Sequence, residues 1–449
     1  MKKNVITKYI LYFVAFTALY SCDDILEQEP ANYISDGAII KDKSSAIAAL
    51  NGAYNRLGAN SYYGGQYFVA GVNLASDNVS WTGSLNFYYA FDTHQYSAEN
   101  QLLSYAWYAI YATINQSNQV IERVSKLSNI DEFTKSQIIA EATIIRSLAF
   151  FDLGRTWGNV PLIRQATTSP QQFAGEKQKP YDEVLKEVVS DILSVYDALP
   201  ASASRSHVSK PVADAFLARV YLYQENWTKA EEYATKLIDN NNYSLVDLQN
   251  LITKKLSEES IWELAYSSAN TNQQSYYWRS SNDGGRHEWG LSKEIVKLLS
   301  DPSIGGERKI YFEDQSSLQV PDYYVGTFYY RSTNDDPVFL FRLSEQYLIR
   351  AEARVKKQNP DLAGALSDLN AVRDRAKISD FQSNNRDEII LAIENENRVE
   401  FALEPHRWFD LKRTGRAESI LGIKKYQTIF PIPYSDIVAD ADLVQNEGY

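Results

Sequence analysis

From residue 43 onward, apolar positions recur at three- and four-residue spacings over most of the chain. That period belongs to helices with one buried face. In 43–57 the face is Ala46, Ile47, Leu50 and Tyr54. The run 101–127 predicts a long amphipathic helix rich in Tyr and Ala. In 134–153, Ile138, Ala142, Ile145 and Ala149 keep register up to Gly154, where the helix is expected to end. Trp157-Gly158-Asn159-Val160-Pro161 then breaks the chain. A further helix carries Val184, Leu185, Val188, Ile192, Val195 and Leu199 and closes at Pro200.

Two later helical pairs, 211–239 and 344–377, resemble each other. Aligning Ala218 with Ala351 sets Ala230 against Ala363 and Tyr233 against Leu366. In the first pair Ala230, Tyr233, Ala234, Leu237 and Ile238 follow the i, i+3, i+4, i+7, i+8 spacing, after a turn at Asn226-Trp227. This is the pattern of a tetratricopeptide hairpin, whose unit is about 34 residues. Between the pairs, about 243–341, the pattern changes. Short β-like runs at 260–266, 323–330 and 338–341 stand among many Gly, Ser, Asn and Asp residues, so this reads as an irregular insertion with a few strands. The ending Pro431-Ile432-Pro433 is extended, since neither proline fits a helix interior. The expected fold class is mainly α: a tetratricopeptide-like helical hairpin scaffold with a loop-rich insertion containing a few short strands.

The first 22 residues differ from all of this. Lys2, Lys3 and Lys8 precede an uncharged, largely apolar run of 12 residues, 9–20. That suits a signal peptide and is too short for the ~20 residues of a membrane-spanning helix. The chain's single cysteine, Cys22, follows at once, and Leu19-Tyr20-Ser21-Cys22 resembles a bacterial lipobox. The expected layout is a lipoprotein signal peptide over 1–21, an acylated Cys22, and one domain over 22–449. Cleavage would remove three lysines and no acid, moving the net charge from −12 to about −15. A chain that acidic argues against nucleic-acid binding, which needs clustered Lys and Arg. It also gains little from an anionic membrane surface, so membrane attachment would fall to the lipid.

Enzyme signatures are nearly absent. There is no G-x-S-x-G, H-E-x-x-H, P-loop or G-x-G-x-x-G. The four histidines are scattered, and one cysteine excludes an internal disulfide and Cys-based metal sites. No cofactor and no metal site are expected, while a glycosidase pair among the many carboxylates stays open. The aromatic residues say more. Tyr62-Tyr63, Tyr67-Phe68, Trp81 and Phe87-Tyr88-Tyr89 lie in a Gly/Ser/Asn-rich stretch without helical periodicity, and Tyr276-Tyr277-Trp278, Trp289 and Tyr323-Tyr324 lie in the insertion. Such rings either pack beneath the loops or stand exposed to stack on the C–H faces of sugars.

Taken in order, several motifs resemble the SusD/RagB family of nutrient-binding outer-membrane lipoproteins. They include Cys22 with its 23–30 tether, Ser76-Asp77-Asn78, Arg146-Ser147-Leu148-Ala149-Phe150-Phe151, and Trp157-Gly158-Asn159-Val160-Pro161. Arg342-Leu343-Ser344-Glu345, Glu400, Glu404 and Arg407-Trp408-Phe409-Asp410-Leu411-Lys412-Arg413 continue the series. Departures from the family pattern are Asn397 for Arg, Pro405 for Gly and Glu447 for Pro. The resemblance implies a lipid-anchored, cell-surface binding protein of the outer membrane that performs no bond chemistry. It would capture an oligosaccharide glycan and pass it to a SusC-like TonB-dependent transporter, with peptide capture of the RagB type as the alternative. It also implies, region by region, a ligand face built from Asp77, Asn78 and Trp81 with Tyr277, Trp278, Arg286 and Trp289. The charged 407–413 segment is expected to fix a helix end through buried ion pairs and not to touch ligand.

Overall fold

The computed structural model describes residues 40–169 and 171–449. The signal segment and Cys22 lie outside the described residues.

The first half is a set of helices built on one long antiparallel pair. Helix α1 (Lys43–Leu57) begins where the Asp42 carboxylate accepts the Ser45 amide at 2.8 Å. Two seven-residue helices follow, α2 (Phe68–Leu74) and α3 (Asn86–Asp92). The long pair is α4 (Gln101–Ser125) and α5 (Glu132–Trp157), with α1 packed on both and α6 (Tyr181–Val195) against α5. The next two helices, α7 (Lys210–Tyr223) and α8 (Trp227–Ile238), form the first hairpin. The insertion contributes α9 (Leu248–Thr253), α10 (Gln274–Trp278) and α11 (Lys293–Ser300). The second hairpin is α12 (Leu343–Lys356) and α13 (Leu362–Arg375), with α12 also packed on α8. Helices α14 (Arg386–Glu400), α15 (Arg407–Arg413), α16 (Ala417–Leu421) and α17 (Tyr434–Ala439) complete the chain.

Among the described residues, eight short strands form four antiparallel pairs. β1 (Val79–Trp81) pairs with β5 (Trp289–Leu291), β2 (Val160–Pro161) with β3 (Gln178–Lys179), β4 (Ser260–Leu264) with β8 (Val338–Arg342), and β6 (Phe312–Asp314) with β7 (Tyr324–Gly326). The mainly helical reading and the strands near 260, 324 and 338 agree with the sequence. One apolar cluster runs from Ile40 to Ile432 through both halves. A smaller one, around Leu348, Leu369 and Ile393, sits between α12, α13 and α14.

Three expectations need correction. Helix α5 does not stop at Gly154. There a side chain would put its Cβ 2.9 Å from Val184 Cγ1, so the glycine lets α6 approach closely. The chain turns instead at Gly158, in the left-handed region with φ +77°. The hairpin alignment slips by two residues, because the turn before α13 is longer. Ala230 is buried on α8, and its counterpart is the buried Ala365, while Ala363 is exposed. The aromatic stretch 62–89 does hold helices, α2 and α3, each too short to show a period. Tyr62 and Tyr63 lie in the core, their hydroxyls donating to Asp152 Oδ2 at 2.6 and 2.8 Å.

The second half is tied together by buried charge. Arg342, at the end of β8, donates to Glu259 Oε1 at 2.6 Å, Glu400 Oε1 at 2.9 Å and Glu404 Oε1 at 2.6 Å. Arg308 reaches Glu396 at 2.6 Å and Glu400 at 2.8 Å, and Arg375 bonds Glu259 at 2.7 Å and also Glu400. Arg373 meets the second oxygen of Glu396 at 3.1 Å. Four arginines thus face four glutamates, and all but Arg373 are buried. Burial alone would push the Glu400 carboxyl up, but Arg375, Arg308 and Arg342 hold it well below the usual carboxylate range. A second link joins the hairpins: Arg219 on α7 forks onto Glu345 on α12 and donates to the Leu340 carbonyl at 2.6 Å. Arg350 on α12 forks onto Asp368 on α13 at 2.9 and 2.7 Å.

Glu400→Gln keeps the shape of this cluster but leaves three arginines short of one charge. It is expected to lower stability by about 3–5 kcal/mol in urea unfolding. A loss below 1 kcal/mol would show that the cluster tolerates imbalance. Trp408, buried on α15 and stacked on Phe430 at 5.7 Å, should cost ~3–5 kcal/mol when cut to Ala.

Glu263 on β4 behaves oppositely. Its Oε1 accepts only the Leu256 amide at 2.7 Å, and burial raises its carboxyl from the ordinary 4.5 to about 7. The folded chain therefore keeps this proton to about pH 7, whereas the unfolded chain releases it near 4.5. Stability from this group falls as the pH rises from 4.5 to about 7, then levels off. Glu263→Gln should match the wild type at pH 4 and exceed it at pH 8 by up to ~3 kcal/mol in the same urea assay.

Candidate functional site

The β1–β5 pairing brings the two regions singled out in the sequence to one face. Val79 stands opposite Leu291, Ser80 opposite Gly290 and Trp81 opposite Trp289. Beyond β1 the chain wraps the buried carboxylate of Glu288. Its Oε2 accepts the amides of Ser84 and Leu85 at 3.0 and 3.1 Å, and Arg286 Nε donates to Oε1. Gly83 is required there, since an added Cβ would fall 2.1 Å from Glu288 Oε2. His287 next door takes a left-handed backbone, φ +47°. Its ring meets the Thr82 hydroxyl at 3.0 Å and stacks on Tyr323 at 3.9 Å, and burial lowers its pKa, so it is neutral at pH 7.

The named site residues fall into two groups. Asp77 and Asn78 are used by the scaffold. Arg407 forks onto Asp77 at 2.7 and 3.1 Å, and Arg398 reaches it at 2.9 Å. Burial pushes Asp77 up, yet Arg407 and then Arg398 hold it below its ordinary value. Asn78 is buried, accepting Arg398 Nε at 3.0 Å and donating to the Arg398 carbonyl at 3.1 Å. Trp278 and Trp289 are 0% and 1% exposed, and Tyr277 is 5% exposed. The Trp289 ring stacks on Tyr277 at 4.9 Å and meets Tyr88 edge-on at 5.1 Å. These three rings form a floor beneath the face and offer no free ring to a ligand. They read as loop aromatics because their short helix and strand have no visible period. Trp81 and Arg286 remain at the surface, Trp81 half-buried beside the exposed Tyr89 at 5.0 Å. The 407–413 segment packs through ion pairs as expected, Arg407 on Asp77 and Glu394, Arg413 on Glu352 and Asp410.

The surface rings extend beyond those residues. Half-buried Tyr67 lies 4.7 Å from the exposed Tyr105 and 6.2 Å from Phe87, and half-buried Tyr276 caps Tyr277 at 5.3 Å. Tyr105 and Tyr108 went unnoticed in the sequence. The signal was there: on α4 they share a face with Gln101, opposite the buried Leu102, Leu103, Ala106 and Ile110, where rings are out of place. Gln66, Ser84 and Arg286 supply hydrogen-bonding groups nearby, with Gln66 Nε2 3.4 Å from the Tyr67 hydroxyl and Arg286 Nη2 3.3 Å from Ser84 Oγ. The Tyr67 phenol is pushed up by burial and by Tyr105, so it stays protonated. Arg286 is matched to Glu288 and His287 is neutral, while Asp92, bonded to the Trp81 backbone and raised by burial to about 6, adds a negative charge beside Trp81 at pH 7. Among the described residues no cluster of His, Cys, Asp and Glu is suited to hold a metal ion, and no helix is long and apolar enough to cross a membrane.

Comparison with known proteins bears on the same regions. The SusD family model matches residues 317–428, and a second, described as starch-binding associating with outer membrane, matches residues 26–222. SusD-like protein P2 of Formosa agariphila is 26% identical across the whole of both chains. A SusD-like protein of Bacteroides ovatus is 25% identical over 91% of this chain and 83% of its own. The starch-binding protein SusD of Bacteroides thetaiotaomicron is 36% identical over 129 residues, 26% of this chain and 22% of that one. Among solved structures, a laminarin-binding SusD-like protein shares the fold with a TM-score of 0.80 at 22% identity, covering 91% of this chain and all of that one. A SusD superfamily protein of Bacteroides vulgatus reaches the same TM-score at 20% identity, covering 91% and 99%. With family matches in both halves, full-length relatives and a shared fold, this chain belongs to the SusD/RagB family.

Proposed function

We propose that this protein is a glycan-capture lipoprotein of the outer membrane, anchored at the cell surface through Cys22 and serving a SusC-like TonB-dependent transporter. The observation that carries the binding reading is the set of part-exposed rings, Trp81 with Tyr89 and Tyr67 with Phe87 and Tyr105, beside the Arg286–Glu288 pair. Sugar C–H faces stack on such rings, while Ser84, Gln66 and the Arg286 fork serve hydroxyls. An open face of this kind gives modest affinity per sugar ring and favours chains that span several subsites. It suits an oligosaccharide, whose hydroxyls can also donate to the Asp92 carboxylate bonded to the Trp81 backbone. The protein binds and releases its ligand unchanged. The starch-binding and laminarin-binding relatives make α- and β-glucan oligosaccharides the first probes.

Calorimetry with maltooligosaccharides and laminarin oligosaccharides tests this. Trp81→Ala and Tyr105→Ala should keep the wild-type melting temperature and each weaken the cognate glucan about tenfold, the value of one lost ring contact. Wild-type affinity in both would move the site elsewhere. Turnover of any glycan would replace the binding reading with a glycosidase, and peptide binding at the same rings would replace it with the RagB-type alternative. The anchor is tested separately: Cys22→Ala should shift the protein from the membrane to the soluble fraction, and continued membrane retention would remove the lipid from the proposal.

A further inference from the structure

A cleft of about 400 Å³, lined by none of the residues of the aromatic face, lies where the end of α5 meets α6, α7, α15 and the C-terminal segment. Its walls include Arg155, Tyr181, Tyr223, Phe409, Lys412 and Asn446. The charges around it are nearly all matched. Arg155 pairs with Asp152 at 2.7 Å and lies over the Phe409 ring at 3.8 Å. Arg413 takes Glu352 at 2.7 Å and Asp410 at 2.8 Å, and Lys356 meets Glu352 at 2.8 Å. Lys412 is different. Its ammonium donates to the Arg155 carbonyl and has no carboxylate partner among the described residues. From α6 and α7 it faces only the phenols of Tyr181 and Tyr223, and from the C-terminal segment only Thr428 and Asn446, which carry no charge.

We propose that this cleft binds a small ring-bearing carboxylic acid, of the kind a uronic sugar presents, with Lys412 as its counter-charge. The volume fits one sugar-sized ring, the half-buried Tyr181 and Tyr223 stand in its wall, and the cavity is in the range of small-ligand sites. Burial first, and then the positive charge of Arg155, lower the Lys412 ammonium to about 7. A half-buried cation held by a carbonyl and with no carboxylate beside it gains most from an incoming anion, and the anion restores its proton. Binding is thereby coupled to proton uptake. This inference stands apart from the glycan reading of the aromatic face and can succeed or fail without it.

The experiment is calorimetry on the wild-type protein with D-glucuronate, D-glucose and inorganic phosphate. Glucuronate is expected to bind with net proton uptake at pH 7.5, read from Tris and Hepes buffers of different ionisation enthalpy. Its affinity should fall about tenfold per pH unit between pH 7.5 and 9. Lys412→Met, which keeps the length of the side chain, should abolish binding without lowering the melting temperature. Glucose binding as tightly as glucuronate, or a flat pH profile, would overturn the role of charge. Phosphate binding without glucuronate binding would overturn the ring-bearing acid. No binding by any of the three would overturn the site. If Lys412→Met fails to fold, the wild-type pH series decides alone.

Discussion

Glu400 sits where three arginines from three different parts of the chain converge, and the second half of the molecule is organised around that meeting. Arg308 comes from the irregular insertion, Arg342 from the end of β8 and Arg375 from the end of α13. Each is buried, and a buried guanidinium without its carboxylate is strongly unfavourable. The set is acceptable only when all its members arrive together. That requirement docks the insertion on the C-terminal helices and fixes where the β4–β8 pair lies against the second hairpin. Apolar packing alone tolerates sliding. A network of directed, charged hydrogen bonds does not.

The proposed ligand face inherits its geometry from this arrangement. Helix α14 carries Glu396 and Glu400 into the cluster and, at its other edge, Arg398 into contact with Asp77 and Asn78. Arg407 on α15 grips Asp77 from the far side. The start of β1 is thus held by two arginines, β1 aligns β5, and β5 places Trp289 under the surface rings. Asp77 enters the expected ligand face because the family resemblance points to its region. Its task is to transmit the position of the helical scaffold to the strand that carries Trp81. On this face Glu288 consumes Arg286, while Lys412, in the cleft at the end of α5, has no carboxylate partner among the described residues.

Much of the scaffold is legible because its helices are long and one-faced. The period in 101–127 and 184–199 locates α4 and α6 to within a few residues, and the Ala-rich hairpins announce close helix packing. The errors have a common origin. Gly154 looks like a terminator until Val184 and Tyr181 are seen against it. Ala363 looks buried until the longer turn before α13 moves that role to Ala365. Elements of three to seven residues, such as α2, α3 and β5, are too short to display any period. Whether Trp278 or Trp289 points inward is therefore invisible in the sequence, whereas Tyr105 and Tyr108 could have been found by looking at the polar side of α4.

What the chain determines by itself is local: which segments are helical, which carry like patterns, where aromatic side chains concentrate, and which charges exist to be paired. Those follow from periodicity and composition, which act over a few turns of helix. Tertiary structure decided which carboxylate met which arginine, which rings became floor and which stayed at the surface, and which lysine met a carbonyl and no carboxylate among the described residues. Those outcomes depend on contacts between residues hundreds of positions apart, such as Asp77 with Arg407 and Trp81 with Trp289. Burial and pairing are properties of the assembled packing, so no local window of sequence contains them.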